Sequence, residues 1–147
     1  MTDIRYEMGN IGELAVEEHF DSQRTDDWYD SRKDGMINNM SYEVKTFRLN
    51  GKTKGFWIDK SQWKKVDGVD ILIFVRVPET TDERARIYVC INHKNCWQKA
   101  YRNDGTGVRS YPLTNCIYIG TIGEERSLQL YEHSVKISKH KRLINAA

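Results

Sequence analysis

Asp34, Glu43 and Lys45 have types and spacing suited to chemistry on a phosphate. On a strand, residues two apart point to one face, so Glu43 and Lys45 share a surface while Val44 points into the core. Asn38-Asn39 separates two strand-like runs, Trp28 to Ile37 and Ser41 to Leu49. Asparagine adopts positive φ cheaply, so a hairpin is expected there, bringing Asp34 alongside the other two. Two carboxylates converging on one spot make a hard oxygen site suited to Mg²⁺, which keeps waters for a substrate phosphate. A lysine beside them can orient or activate a water and neutralise charge as phosphorus becomes five-coordinate. A metal, a water and a cation aimed at one phosphorus are the parts of phosphodiester hydrolysis.

The flanking segments must hold these groups in place. Ile11, Leu14, Ala15 and the neighbouring Phe20 have helical spacing, predicting a helix from about Asn10 to Phe20. Asn50 to Gly55 is a basic, glycine-bounded loop, and Ile58 to Val66 reads as a short helix. Val69 to Val77 is almost continuously apolar, as a strand buried on both faces reads, and Pro78 ends it. Ala85 to Ile91 is expected to neighbour it. His93 to Arg102 reads as a helix, Asn103 to Gly107 as a loop and Cys116 to Ile119 as a short strand. The basic segment after Leu128 has no assignable pattern. This order indicates an α/β fold, a mixed β-sheet with helices against its faces.

These residues, in this order, resemble the PD-(D/E)XK nuclease superfamily, marked by an aspartate, a variable hairpin and Glu/Asp-x-Lys on the next strand. Asp34 followed by Glu43-Val44-Lys45 is similar to that pattern, and the likeness covers roughly residues 9–77. Gly9-Asn10-Ile11-Gly12-Glu13-Leu14-Ala15 resembles the family's early helix, which often carries an acid near the metals. Gln62, within Ser61-Gln62-Trp63, resembles an auxiliary glutamine. The resemblance implies a restriction-endonuclease-like core of the αβββαβ type. It also implies Mg²⁺, or Mn²⁺ in its place, held by Asp34, Glu43 and the main-chain carbonyl of Val44. Lys45 would act on the attacking water, with Glu13 and Gln62 supporting. Lys33 stands where the family has proline, and Asp30 competes with Asp34 as the first acid because that spacing is loose. Asp34 is preferred, since Gly35 follows it and the hairpin sets it closer to Glu43. Bland readings exist for each residue: strand decoration for Glu43 and Lys45, a helix-surface carboxylate near the dipole for Glu13, an exposed polar residue for Gln62.

Composition sets the outer bounds. The 147 residues suit one domain, and no linker or repeat divides 1–147. With 39% hydrophobic residues, 30% charged residues and two prolines, the chain is neither collagen-like nor extensively disordered. Its longest apolar run, Ile71 to Val75, falls far short of the ~20 residues a membrane helix needs. Met1 to Arg5 lacks a signal peptide's order, so a cytoplasmic location is expected. Three cysteines are too few and odd in number for a disulfide scaffold, and reduced thiols are expected. Cys90, His93, Cys96 and Cys116 suffice in number for zinc, but the spacing fits poorly, and buried cysteines behave as small hydrophobes. His93-Lys94-Asn95 lacks the second histidine that a His-Asn nuclease needs.

The net charge of +2 conceals an asymmetry: residues 1–31 hold nine acids against two bases, the remainder 12 acids against 21 bases. A basic face for a polyanion beside an acidic segment is one reading, ordinary surface patterning the other. Lys52, Lys54, Lys64 and Lys65 alternate with Phe56, Trp57 and Trp63, the mixture that contacts a nucleic-acid backbone. Phe56 and Trp63 are expected in the core. Lys136, Lys139, Lys141 and Arg142 are either a second phosphate contact or a solvated end. The reading is thus a small DNA endonuclease of the phage or mobile-element kind. Its rivals are a Holliday-junction resolvase, which requires a homodimer, and a non-catalytic DNA-binding or inhibitory module.

Overall fold

Ile71-Leu72-Ile73-Phe74-Val75 is buried along its whole length, and everything else is arranged around that strand. The computed structural model describes residues 4–20, 23–24, 34–48 and 55–146, with side chains at 7–20, 34–48 and 55–139. Helix α1 (Ile4–Phe20) is followed by β1 (Gln23–Arg24), β2 (Gly35–Ile37), β3 (Met40–Phe47) and β4 (Gly55–Asp59). A 3₁₀ turn (Lys60–Gln62) runs into the short helix α2 (Trp63–Asp67), and then come β5 (Ile71–Arg76) and β6 (Arg86–Cys90). The chain continues through β7 (Gln98–Tyr101), β8 (Gly107–Pro112), a second 3₁₀ turn (Leu113–Asn115), β9 (Ile117–Thr121) and helix α3 (Glu124–Ala146).

The main sheet has the order β1-β2-β3-β5-β6-β9, and β3 pairs parallel with β5 while its other neighbouring pairs are antiparallel. It is therefore mixed, as expected. Its two faces bury different partners. Tyr42, Val44, Ile71, Ile73, Val75, Ile87 and Val89 form one core with Ala15 and Val16 of α1 and Leu130 of α3. Leu72, Phe74 and Cys90 face the other way, against Phe56, Ile58, Val66 and Tyr111. Phe56 of β4 stacks on Phe74 with centroids 4.3 Å apart, joining the main sheet to a smaller antiparallel sheet, β4-β8-β7.

Helices flank the sheet as expected, unequally: the long helices α1 and α3 cover one face, and the short α2 together with the second sheet covers the other. Ile58 belongs to β4, so the helix expected from Ile58 starts later, at Lys60 in 3₁₀ form. His93 to Arg102 is not a helix; its end forms β7, paired with β8 so that Lys99 faces Arg109 and Tyr101 faces Gly107. Gln98, Lys99 and Tyr101 are exposed, so this edge strand shows no hydrophobic alternation to read. The helix α3 escaped the pattern because two of its buried positions, Ser127 and Ser134, are polar. Their hydroxyls bond locally, to the carbonyls of Ile122 and Tyr131. Among the described residues, no helix is long and apolar enough to cross a membrane.

Candidate active site

The turn between β2 and β3 is the two-residue kind that the asparagines allow. Asn38 and Asn39 have φ of 48° and 65°, and Ile37 pairs directly with Met40 across them. Their left-handed backbone follows the twist of the flanking strands. One position beyond the Gly35–Tyr42 pair, Asp34 donates its N–H to the Tyr42 carbonyl at 2.8 Å. Its Oδ2 accepts the Val44 N–H at 2.7 Å, so the carboxylate is fixed to the strand that carries Glu43 and Lys45.

Tyr42 and Val44 point toward the helices, so Glu43 and Lys45 point toward α2 and the smaller sheet. Their register partners on β5 are Leu72 and Phe74. Glu43 is only 1% exposed. Its Oε1 lies 3.1 Å from Lys65 Nζ and 3.4 Å from Lys45 Nζ, and Lys45 Nζ donates to Gln62 Oε1 at 2.7 Å. Glu43 Oε2 is buried and has no hydrogen-bond partner among the described groups. Burial and the neighbouring Asp34 charge push the Glu43 carboxyl up to about 7, despite the two ammonium groups beside it. Burial pulls Lys65 down, yet the attraction of Glu43, Asp34 and Glu13 outweighs it and leaves its value raised. Both members of the pair therefore hold their protons more firmly, and the local positive charge does not fully offset the cost of an ionised Glu43.

That imbalance is the test for a metal. No group of three or more His, Cys, Asp or Glu among the described residues is arranged to hold an ion by itself. The site instead offers two carboxylates that repel each other, one of them with an unsatisfied buried oxygen, together with the adjacent Val44 carbonyl. Such a partial, hard oxygen set fits Mg²⁺, which takes its remaining ligands from water and phosphate.

The structure thus brings Asp34, Glu43, Val44, Lys45, Gln62 and Lys65 together, with Glu13 on α1 within electrostatic reach of Lys65. Lys65, expected near a nucleic-acid backbone, pairs with Glu43 while staying part-exposed, and Lys64 is exposed on α2. Lys52, Lys54, Asp30 and Lys33 lie outside the described residues, as do the side chains of Lys141 and Arg142. Lys136 and Lys139 are exposed on α3, in the layer on the opposite side of the main sheet from Glu43. His93 is buried and donates Nε2–H to the Val69 carbonyl at 2.9 Å, and burial holds its value below the ordinary one.

Sequence reasoning missed Arg109. Its guanidinium lies 4.7 Å from the ring centres of both Trp63 and Trp97 and binds Asp67 through two bonds of 2.7 and 3.1 Å. Trp63 also donates Nε1–H to the Ile58 carbonyl at 2.9 Å. These contacts fix α2, a helix of five residues too short to hold its own shape, and so fix Gln62 and Lys65. The partners are scattered through the sequence from Ile58 to Arg109, which left no local signal. Comparison with models of protein families, with curated proteins and with solved structures finds no match.

Proposed function

We propose that this chain is a metal-dependent DNA endonuclease with a restriction-endonuclease-like core, a cytoplasmic phage or mobile-element nuclease using Mg²⁺ or Mn²⁺. The observation that carries the reading is the Glu43 carboxyl, buried beside Asp34 with one oxygen held by Lys45 and Lys65 and the other unsatisfied. The element order α1, β2, β3, β4, α2, β5 supports it, as does the parallel pairing of β3 with β5.

Asp34, Glu43 and the Val44 carbonyl would hold the cation. When bound, the metal supplies Lewis-acid charge at the scissile phosphate. The ammonium of Lys45, tethered by Gln62, donates hydrogen bonds to the attacking water and to phosphate oxygens as their charge grows. Gln62 and Glu43 together fix the position of that ammonium. Lys65 also holds Glu43 Oε1, so the unpartnered Oε2 is the oxygen that would be available to a cation. Exposed Lys64 meets the DNA backbone.

The deciding experiment is nicking of supercoiled plasmid with Mg²⁺, with Mn²⁺ and with chelator. Asp34→Asn and Glu43→Gln are expected to abolish nicking while circular dichroism stays unchanged. A well-folded wild-type protein that binds DNA but never cuts it would be a non-catalytic module. Cleavage confined to four-way junctions by a symmetric dimer would instead make it a resolvase.

A further inference from the structure

We propose that Cys90, Cys96 and Cys116 form a thiol–disulfide site that hydroperoxides oxidise, separate from the phosphodiester chemistry. The three residues come from β6, from the turn after it, and from the segment entering β9. Cys90 is buried, and its Sγ lies 2.7 Å from Cys96 Sγ. Its Sγ also lies 4.0 Å from the carbonyl of Asn115, the residue before Cys116, and the Cys96 and Cys116 side chains pack against the same buried cluster as Cys90. Asn115 donates from its side chain to the Cys96 carbonyl at 2.9 Å, which pins the turn against the residue preceding Cys116. The three cysteine side chains thus gather at one end of this core, with Cys90 and Cys96 in direct sulfur contact.

This geometry favours sulfur–sulfur chemistry over metal binding. Thiolates around tetrahedral zinc stand about 3.8 Å apart, given Zn–S bonds of about 2.3 Å. Cys90 and Cys96 are instead in direct sulfur contact, the approach that forming a disulfide requires. His93, the nearest imidazole in sequence, is occupied with the Val69 carbonyl.

The three thiols differ in reactivity. Cys116 is lowered below the ordinary thiol value, chiefly because Cys90 donates its S–H to it. Cys90 is raised by its hydrogen bond with Cys116 and by burial, and burial with the Cys90 bond pushes Cys96 up to about 12. Cys116, which is part-exposed, is therefore the entry point, since the thiolate is the nucleophile. Its sulfur attacks the terminal oxygen of the hydroperoxide. An S–O bond forms, the O–O bond breaks, and the alkoxide (or hydroxide) leaves and is protonated. The Cys90 sulfur then attacks the sulfenic sulfur of Cys116, forming a disulfide, and the expelled hydroxide takes the Cys90 proton as water. Finally Cys96 attacks Cys90 and expels Cys116. The less basic thiolate is the better leaving group, so exchange proceeds in this direction. The net result is a Cys90–Cys96 disulfide, with one peroxide reduced to alcohol and water and Cys116 regenerated.

The test uses the full chain, reduced and then treated with an equimolar amount of hydrogen peroxide. Free thiols are alkylated and the digest is read by mass spectrometry. Expected are an intact mass lower by two hydrogens, one alkylated cysteine at Cys116, and a peptide joining Cys90 to Cys96. Cys116→Ser should slow the loss of thiols about tenfold or more, and Cys96→Ser should trap Cys90–Cys116 instead. Both variants alter part-exposed residues, and circular dichroism checks their folding. Three alkylatable thiols after peroxide, sulfinic acid without any linked peptide, or zinc that leaves with chelator and unmasks the thiols would each overturn the proposal.

Discussion

The carboxylate of Glu43 meets the ammonium of Lys65 at 3.1 Å, with the acid's side chain 2% exposed and the base's 37%. Solvent therefore reaches the pair only through the lysine. The consequence appears in how the protein responds to pH. Glu43 is raised from 4.5 to about 7 in the fold, so the native state keeps a proton that the unfolded chain has released. Native binding of the extra proton makes stability fall as pH rises from about 4.5 to about 7, with the full penalty present above that. Glu43→Gln should remove this slope and raise the melting temperature at pH 8 by several degrees, a few kcal/mol at most. Mg²⁺ should stabilise the wild-type chain more at pH 8 than at pH 5.5, since the cation competes with the same proton. Calorimetry across this range checks both, and a wild-type curve parallel to that of Glu43→Gln would refute the buried-carboxyl account.

Lys45 and Lys64 should separate rate from affinity. Lys45→Ala is expected to cost orders of magnitude in cleavage with little loss of DNA binding, because its charge matters as the transition state forms. Lys64→Ala should weaken binding equally on all sequences and lower the salt slope by roughly one, with the cleavage rate of bound DNA unchanged. Single-turnover kinetics and binding titrations at several salt concentrations distinguish the two.

Arg109 should matter to a site it does not touch. Arg109→Ala removes the guanidinium from between Trp63 and Trp97 and breaks its pair with part-exposed Asp67, at a cost of about 1–2 kcal/mol that comes mostly from the lost stacking. Arg109→Lys should recover little, because an ammonium lacks the planar fork that stacks and binds a carboxylate at once. Tryptophan emission reports the loosened pair, and the cleavage rate should drop in step with it as Gln62 and Lys65 lose their placement.

Two glycines of α1 should respond oppositely to alanine. At Gly12 a Cβ would stand 3.2 Å from Thr46 Cβ on β3 and closer still to its hydroxyl, so helix and strand must separate. Gly12→Ala is expected to destabilise by about 1–3 kcal/mol. A Cβ at Gly9 meets nothing within 4 Å, so Gly9→Ala should stabilise by up to about 1 kcal/mol through helix propensity. Thermal melts of the two variants moving in the same direction would contradict the close approach.

Much of the site was legible because its members lie close in sequence and obey a period of two. Asp34, the asparagine turn and Glu43-Val44-Lys45 are read from alternation and turn chemistry alone, and the continuous apolar run marks β5. What stayed hidden depends on distant partners. The small sheet forms because Phe56 stacks on Phe74 and β4 pairs with β8, a pairing no local pattern announces. Lys65 looked like one more surface lysine in a basic run, and only the position of α2 turns it toward Glu43. Cys116 sits 26 positions beyond Cys90, and only the fold packs it against the same cluster as Cys90 and Cys96.

The two-residue turn at Asn38-Asn39 makes the length of this hairpin a quantity that changes only in even steps. β3 is held in register by β5, so an added residue is taken up by sliding β2. One inserted residue would set Gly35 where Asp34 now stands and carry the aspartate past the end of the pairing. Two inserted residues fit a four-residue loop and leave every partner unchanged. A library of turn lengths should therefore alternate between dead and living proteins, a parity rule written by the pleat of the sheet.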